Sequence, residues 1–295
     1  RSTLFPYTTL FRSTGDFLSE YASLKYCIFG AGGIGMLTAA FLAEAKKDVM
    51  LICRGENLSA VREKGVTVQS LHGSYTVPVK AMTEEEYTDS PDIVLLSIKS
   101  YSLDSALPFL NRVCRVDTAV ITCQNALDYG AEVERRMCVP CKMCSGVIYV
   151  HAARSQPGTV KHTSAFFRLV YAPRDGVRTR NLWKSRLDML DAGIAADLQT
   201  DAVKICLRKF IRVSCISAIC CYYNDSIGVL HRNPEALELY KALCAEICAI
   251  TEMRGSPFFD EAYDDAMTFA LQGNPGFMTS MKRDMDAGRP MEVQT

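Results

Sequence analysis

Residues 25–35 read KYCIFGAGGIG, and this stretch decides the fold of the chain. An apolar strand pattern runs directly into Gly30-x-Gly32-x-x-Gly35, and a helical pattern follows over 33–46. Glycines at this spacing allow a tight turn, let a pyrophosphate approach the backbone and let the helix pack close to the strand. The free N–H groups at the start of the helix attract phosphate. The stretch therefore predicts a dinucleotide site formed by Gly30, Gly32, Gly33, Ile34 and Gly35.

The second strand pattern, DVMLIC over 48–53, ends at Arg54. Enzymes that use NAD usually carry an acidic residue here, which binds the 2′-hydroxyl of the ribose. A guanidinium suits the 2′-phosphate of NADP instead. We therefore expect NADP as the cofactor, with NAD as the alternative.

Composition excludes several classes of function. The chain has 295 residues, with 33 basic and 33 acidic side chains and no long block of one charge. Nucleic acid and anionic membrane surfaces are therefore not expected as partners. The 13 cysteines are spread through strand and helix patterns, which favours a reducing cytoplasm. The densest group, Cys138-x-x-Cys141-x-x-Cys144, lacks an evident fourth ligand, so we predict ordinary thiols and no metal site.

The two ends of the chain carry their own expectations. Residues 1–13, RSTLFPYTTLFRS, match the in-frame translation of a common short-read sequencing adapter. Within a leader of 1–23, we expect 1–13 to have no structural or functional meaning. We also expect a chain truncated at both ends, because Thr295 falls within a helix-rich pattern.

Strand and helix patterns alternate along the first half, which predicts a doubly wound Rossmann-type α/β sheet. The predicted strands are 25–29, 48–53, 66–70, 75–79, 92–97, 118–123 and 145–150. The predicted helices are 33–46, 57–64, 102–113 and 128–137. A hairpin around the Pro157-Gly158 turn, a strand at 166–172 and a helix at 178–193 follow.

From about residue 200 only helical patterns remain. They cover 201–254 and 260–289 and are broken at NDSIG (224–228), RGSP (254–257) and GNPG (273–276). We predict an NADP-binding domain over 24–198 and an all-helical substrate and catalytic domain over 199–295. Ligands of open parallel sheets bind beyond the carboxyl ends of the strands, so the helical domain should cap that edge.

A nicotinamide domain supplies hydride, so the helical domain should supply substrate binding and a proton donor. Lys209 lies in a strongly apolar helical pattern, KICLRKFIRVSC. Apolar surroundings lower the pKa of a lysine, which can then donate a proton near neutral pH. The alternative is a lysine that extends its ammonium to the surface. Lys99 ends the strand pattern IVLLSIK, at the edge where the cofactor is expected.

Six motifs in order resemble the ketopantoate reductase (2-dehydropantoate 2-reductase) family over roughly 24–295. They are GAGGIG, SIKSY, TCQNAL, QPGTVKH, LRKF ahead of YYNDSIGVL, and TSMKRDMDAGRPMEV. The resemblance implies an NADPH-dependent oxidoreductase that reduces a small 2-oxo acid, most simply 2-dehydropantoate on the route to pantothenate and coenzyme A. For the assembly, we keep a homodimer as one alternative.

The resemblance also implies roles for individual residues. Lys209 becomes the general acid, and Lys99 and Asn125 line the cofactor and substrate cleft. Ser280 binds the substrate, and Glu292 takes a catalytic part in contact with cofactor or substrate. Simpler alternatives stay open: Ser280 as a helix cap, Glu292 as a solvated charge and Asn125 as a turn residue.

Three departures from the family pattern leave the 2-oxo acid open. Many members carry asparagines one and two turns after the catalytic lysine, where this chain has Val213 and Ser217. An acidic residue that follows a glycine after this helix is replaced by Val229. Hydrogen-bonding side chains decide which substrate hydroxyls a site accepts. A family paralogue with another 2-oxo acid and an NADP-binding protein without turnover therefore remain alternatives.

Overall fold

The computed structural model describes residues 23–253 and 259–293. Most of the leader, including the adapter match at 1–13, and the predicted break at 254–257 lie outside these ranges. The strands are β1 (Lys25–Phe29), β2 (Asp48–Ile52), β3 (Val66–Ser70), β4 (Gly73–Val77), β5 (Lys80–Met82), β6 (Ile93–Leu96), β7 (Ala119–Thr122), β8 (Lys142–Tyr149), β9 (Ala152–Gln156), β10 (Thr159–His162), β11 (Arg168–Pro173) and β12 (Ala195–Leu198). The helices are α1 (Gly33–Glu44), α2 (Gly55–Lys64), α3 (Leu103–Val113), α4 (Tyr129–Arg136), α5 (Arg180–Asp191), α6 (Ala202–Tyr222), α7 (Val229–Arg232), α8 (Pro234–Met253), α9 (Phe259–Gln272) and α10 (Ser280–Asp286).

Eight strands form the main sheet, in the order β12-β11-β8-β7-β6-β1-β2-β5. The six strands from β8 to β5 pair in parallel, whereas β11 runs antiparallel to β8. A second sheet, in the order β4-β3-β10-β9, packs against α1. In it β9 and β10 form the antiparallel hairpin expected around Pro157-Gly158.

The side chains of the buried strands point alternately to the two faces of the main sheet, which explains why helices cover both faces. In β1, Tyr26 and Ile28 join the apolar cluster that contains α1 and α5. Their neighbours Cys27 and Phe29 join the cluster that contains α3 and α4. Successive side chains of a strand point to opposite faces, and parallel sheets are buried on both. The predicted doubly wound α/β class is confirmed.

Past β12, which ends at Leu198, the regular elements of the described residues are all helices. Helices α6, α8 and α9 enclose an apolar cluster of their own, which includes Ile216 and Tyr240. Helix α6 also packs against β8 and β11, so it joins the helical part to the sheet. Of the helices described, none combines the length and apolar character needed to cross a membrane.

In the glycine turn after β1, backbone atoms of neighbouring segments lie unusually close together. Gly30 has φ +109°, and a Cβ there would lie 2.8 Å from the Ser97 carbonyl oxygen. A Cβ at Gly35 would lie only 1.9 Å from the Gly30 carbonyl oxygen. Both positions therefore require glycine. By contrast, a Cβ at Gly32 would approach only the Ser97 oxygen, at 3.8 Å, which leaves space above the loop.

We expect Gly35→Ala to lower the free energy of unfolding by about 1–3 kcal/mol or more, because α1 must move away from β1. Gly32→Ala should cost less than about 1 kcal/mol, since its φ of −76° suits alanine. Urea unfolding followed by circular dichroism measures both values. Equal losses for the two variants would contradict the steric account.

Candidate active site

The residues that follow four neighbouring parallel strands lie together at one edge of the main sheet. Gly30 follows β1, Arg54 follows β2, Lys99 follows β6 and Asn125 follows β7. Together with α10 and the segment after it, this edge borders a cleft of about 710 Å³. Nine of the eleven residues predicted for the site line it: Gly30, Gly32, Gly33, Ile34, Arg54, Lys99, Asn125, Ser280 and Glu292.

Two predicted residues do not line the cleft. Gly35 lies beneath the loop, where it allows α1 to approach Gly30. Lys209 is buried on α6, and its Nζ donates a hydrogen bond of 2.6 Å to the carbonyl oxygen of Ile148. Cys123 lines the cleft and lies close enough to affect the pKa of Lys209. The ammonium is thus next to the cleft wall rather than in it.

The nucleotide end of the cleft fits a dinucleotide. Gly32 is the N-cap of α1, and the first turn of α1 holds no acidic side chain that would oppose a phosphate. Arg54 is exposed at this end, where it is the N-cap residue of α2. Glu84 lines the same end and was not predicted from the sequence. Burial raises the pKa of Glu84, while the nearby Arg54 acts in the opposite direction.

Lys99 is held by two carboxylates from the far end of the chain. Its Nζ donates to Asp284 Oδ2 at 2.8 Å and to Glu292 Oε2 at 3.0 Å. Glu292 Oε1 also accepts from the backbone N–H of Ser100, and Asp284 Oδ1 accepts from Arg289 Nε. Glu292 is therefore a paired charge rather than a freely solvated one. These contacts connect the sheet edge to α10.

The pairing controls the protonation of these groups. Burial lowers the pKa of Lys99, but the hydrogen bonds and charges of Asp284 and Glu292 outweigh it and raise that pKa. For Asp284, burial acts to raise the pKa, but Lys99 and Arg289 hold it below its ordinary value. Lys99 is therefore a fixed positive charge in the cleft.

Gln124 is a site residue whose role the sequence did not reveal. Its Nε2 donates to the carbonyl oxygens of Leu96 and Ile98, at 3.0 and 2.9 Å. Its Oε1 accepts from the backbone N–H of Cys123. The buried amide thus joins the ends of β6 and β7, which carry Lys99 and Asn125. Its position in TCQNAL, directly before Asn125, is the signal in the sequence that points to this edge of the sheet.

Two of the simpler alternatives can be compared with the geometry. The N-cap of α10 is Thr279, whose hydroxyl accepts from the Lys282 N–H, so Ser280 is not the cap. The Ser280 side chain is left to line the cleft. Asn125 is exposed in the cleft, and its side chain forms no hydrogen bond with the described residues.

The lysine of α6 has an environment unlike that of Lys99. Lys209 Nζ lies 5.4 Å from the centroid of the Tyr149 ring and forms no ion pair with the described residues. Burial is the main cause that lowers its pKa to about 8, with a further contribution from Arg212. Its ammonium does not extend to the surface, so the snorkelling alternative is wrong.

The three cysteines of the CxxCxxC group differ in exposure. Cys138 is exposed, Cys141 is half-buried and Cys144 is buried in β8. None of the thirteen cysteines, all of which lie in the described ranges, forms a disulfide. In the described part of the chain, no group of three or more His, Cys, Asp or Glu side chains is arranged to hold a metal ion.

We expect Asp284→Asn to lower the free energy of unfolding by only about 1 kcal/mol at pH 7, because Lys99 is partly exposed and solvent screens the pair. The pKa of Asp284 is lowered by folding, so its contribution is present above the unfolded value of about 3.9 and is lost as pH falls through the folded value. Urea unfolding at pH 7 and near pH 3 measures this change.

The matched control is Asp89→Asn, which breaks the surface pair between Asp89 and Lys25. It should change stability little at either pH, because both side chains are about half exposed. A loss for Asp284→Asn that is the same at both pH values would contradict the pairing argument.

Known proteins share this architecture. A 2-dehydropantoate 2-reductase from Mesorhizobium japonicum is 26% identical, with 92% of this chain and 88% of the relative covered. A dimeric ketopantoate reductase from Staphylococcus aureus has a TM-score of 0.78 at 22% identity, over 92% of this chain and 88% of that chain. A D-mandelate dehydrogenase with NADH and anilino(oxo)acetate has a TM-score of 0.80 at 15% identity, with the same coverage.

Family profiles match most of the chain. The profile of ketopantoate reductase PanE/ApbA matches residues 26–176. The profile of the ketopantoate reductase PanE/ApbA C-terminal domain matches residues 201–295. Both matches fall on the parts of the chain that border the cleft. The chain belongs to the ketopantoate reductase family of oxidoreductases.

Proposed function

We propose that this protein uses NADPH to reduce a small 2-oxo acid, most simply 2-dehydropantoate to pantoate. The observation that carries the proposal is the pairing of a phosphate-binding glycine loop with a buried lysine of lowered pKa beside the same cleft. The family and the Mesorhizobium relative, a 2-dehydropantoate 2-reductase, support the choice of substrate.

Different residues of the cleft bind different parts of the cofactor and substrate. The loop from Gly30 to Gly33 and the start of α1 hold the pyrophosphate, and Arg54 binds the 2′-phosphate. Bound NADPH supplies the hydride. Lys99, kept charged by Asp284 and Glu292, orients the polar groups of cofactor and substrate, so Glu292 acts catalytically through this charge.

Lys209 donates the proton to the oxygen of the former carbonyl group. With a pKa of about 8, it is mostly protonated at neutral pH and gives up its proton more readily than an ordinary lysine. To reach the cleft, the ammonium must turn from the Ile148 carbonyl past Cys123. Proton donors often close on their targets only when substrate is bound. Burial raises the pKa of Cys123 to about 12, so its thiol stays neutral during this step.

The substrate is bound by the Ser280 hydroxyl and the Asn125 amide, which are both available in the cleft. A second candidate is a different 2-oxo acid. Val213 and Ser217 on α6 stand where many family members carry asparagines and favour this candidate, although neither residue lines the cleft. The D-mandelate dehydrogenase of similar fold, whose structure holds NADH and anilino(oxo)acetate, supports this candidate.

We extend the proposal to assembly and location. The dimeric Staphylococcus relative favours a homodimer. The absence of disulfides among the described cysteines, of which Cys138 is exposed to solvent, favours a reducing cytoplasm.

We expect Lys209→Ala to reduce turnover with 2-dehydropantoate about 10²–10⁴-fold, because the proton donor is lost. NADPH affinity, measured by fluorescence titration, should change little. The control is Lys204→Ala, on the same helix but with an exposed side chain. Unchanged turnover in Lys209→Ala would refute the assigned role. The wild-type protein should also be tested with a panel of 2-oxo acids. If it binds NADPH but none of these acids leads to NADPH oxidation, the alternative of a binding protein without turnover is favoured.

We expect Arg54→Ala to weaken NADPH binding about 10–100-fold, because a charge-assisted contact with the 2′-phosphate is lost. NADH binding should change little. Arg62→Ala is the control, since Arg62 lies in the last turn of α2 but pairs with Glu86 away from the cleft. Equal losses of NADPH and NADH affinity in Arg54→Ala would overturn the assignment of NADP.

A further inference from the structure

Two cations of α6 face the same aromatic ring. Lys209 Nζ lies 5.4 Å from the centroid of the Tyr149 ring, and the central carbon of the Arg212 guanidinium lies 5.0 Å from it. Residues three apart in a helix lie on one side of it, so the two charges are neighbours. A neighbouring positive charge disfavours the charged form of a lysine.

The Arg212 side chain is held firmly in this place. Its guanidinium carbon lies 4.7 Å from the centroid of Phe269 on α9, so it contacts rings of two elements. Its Nη1 lies 3.6 Å from a carboxylate oxygen of Asp265. Its Nε is buried and has no hydrogen-bond partner among the described residues. Since an unpaired buried donor costs free energy, the charge of Arg212, rather than its hydrogen bonding, is what this position supplies.

We propose that Arg212 is a positioning residue for Lys209: its fixed charge beside the Tyr149 ring keeps the Lys209 ammonium ready to release its proton. Arg212 touches neither the cleft nor the reacting atoms and acts only through Lys209. The inference rests on the proposed role of Lys209 as the proton donor.

The other groups around the pair do not replace this effect. Burial is the largest cause that lowers the pKa of Lys209, and Arg212 lowers it further. The thiols of Cys123, after β7, and Cys206, on α6, act in the opposite direction. Other charged or titratable groups that face this cluster are Tyr149 itself, Arg168 from β11, Arg208 from α6, Tyr240 from α8 and Asp265 from α9.

An NMR titration of the protein without cofactor or substrate tests the inference directly. Lysines carry ¹³C at Cε, and the Lys209 signal is assigned by its loss in Lys209→Ala. The wild-type midpoint should lie near pH 8. In Arg212→Gln the midpoint should rise by on the order of half a pH unit, because the neighbouring charge is gone. Arg212→Lys keeps the charge and should keep the wild-type midpoint.

The matched control is Arg208→Gln. Arg208 lies on the same helix and also near Asp265, at 3.4 Å, but its side chain is 45% exposed. Its removal should leave the midpoint unchanged. An unchanged midpoint in Arg212→Gln, or equal shifts in both variants, would overturn the inference.

A second variant covers the case in which Arg212→Gln does not fold. Asp265→Asn removes the carboxylate that offsets the charge of Arg212 without deleting a large side chain. The Lys209 midpoint should then fall below the wild-type value. A midpoint that stays or rises would count against Arg212 as the controlling charge.

Turnover measured against pH separates the inference from the proposed function. Activity should fall as pH rises through the Lys209 midpoint, and Arg212→Gln should move this alkaline limb upward by the same amount as the NMR midpoint. If the midpoint does not move, the inference about Arg212 is wrong and the function stands. If the midpoint moves and the limb does not, Lys209 is not the proton donor, and both proposals fall.

Discussion

The cleft depends on one close approach of backbone to backbone. The Gly30 carbonyl oxygen occupies the place where any other residue at position 35 would carry its Cβ, 1.9 Å away. This contact sets α1 directly against the end of β1 and leaves the space above Gly32 open. Gly30 also lies against the Ser97 carbonyl at the end of β6, so the same approach aligns β6, which leads to Lys99. This backbone packing thus determines where both a phosphate and the fixed positive charge of Lys99 can lie.

The second constraint is electrostatic and spans the chain. Lys99 and its two carboxylate partners are separated by 185 and 193 residues. Their hydrogen bonds hold α10 and the segment after it over the edge of the sheet, which places the Ser280 hydroxyl in the cleft. A partly exposed ion pair adds little to stability by itself, but a cation held by two carboxylates, one of which also accepts from the Ser100 N–H, defines a geometry. We infer that the main effect of this cluster is on the shape and charge of the site.

The features that could be predicted from the sequence are those marked by periodic apolar residues or by glycines. The buried strands and the helices of the Rossmann-type part were within reach, because continuous apolar runs and helical periods mark them. The three residues of β5, KAM, and the four of β12, AADL, contain no such apolar run. Thr279 and Ser280 both satisfy the cap preference, and only the hydrogen bond to Lys282 decides between them. The partners of Lys99 and the amide link made by Gln124 depend on tertiary contacts that no local pattern records.

The pKa values of two lysines beside one cleft are shifted in opposite directions, and this difference is the strongest physical argument for their different roles. Lys99 lies between two carboxylates, which raise its pKa and keep it charged across the physiological range. Lys209 has a carbonyl oxygen and a ring as neighbours, with Arg212 close by, and its pKa falls to about 8. A group that must orient an anion should hold its proton, whereas a group that must give up a proton needs a pKa near the working pH. The fold supplies the first condition with distant carboxylates and the second with burial on α6.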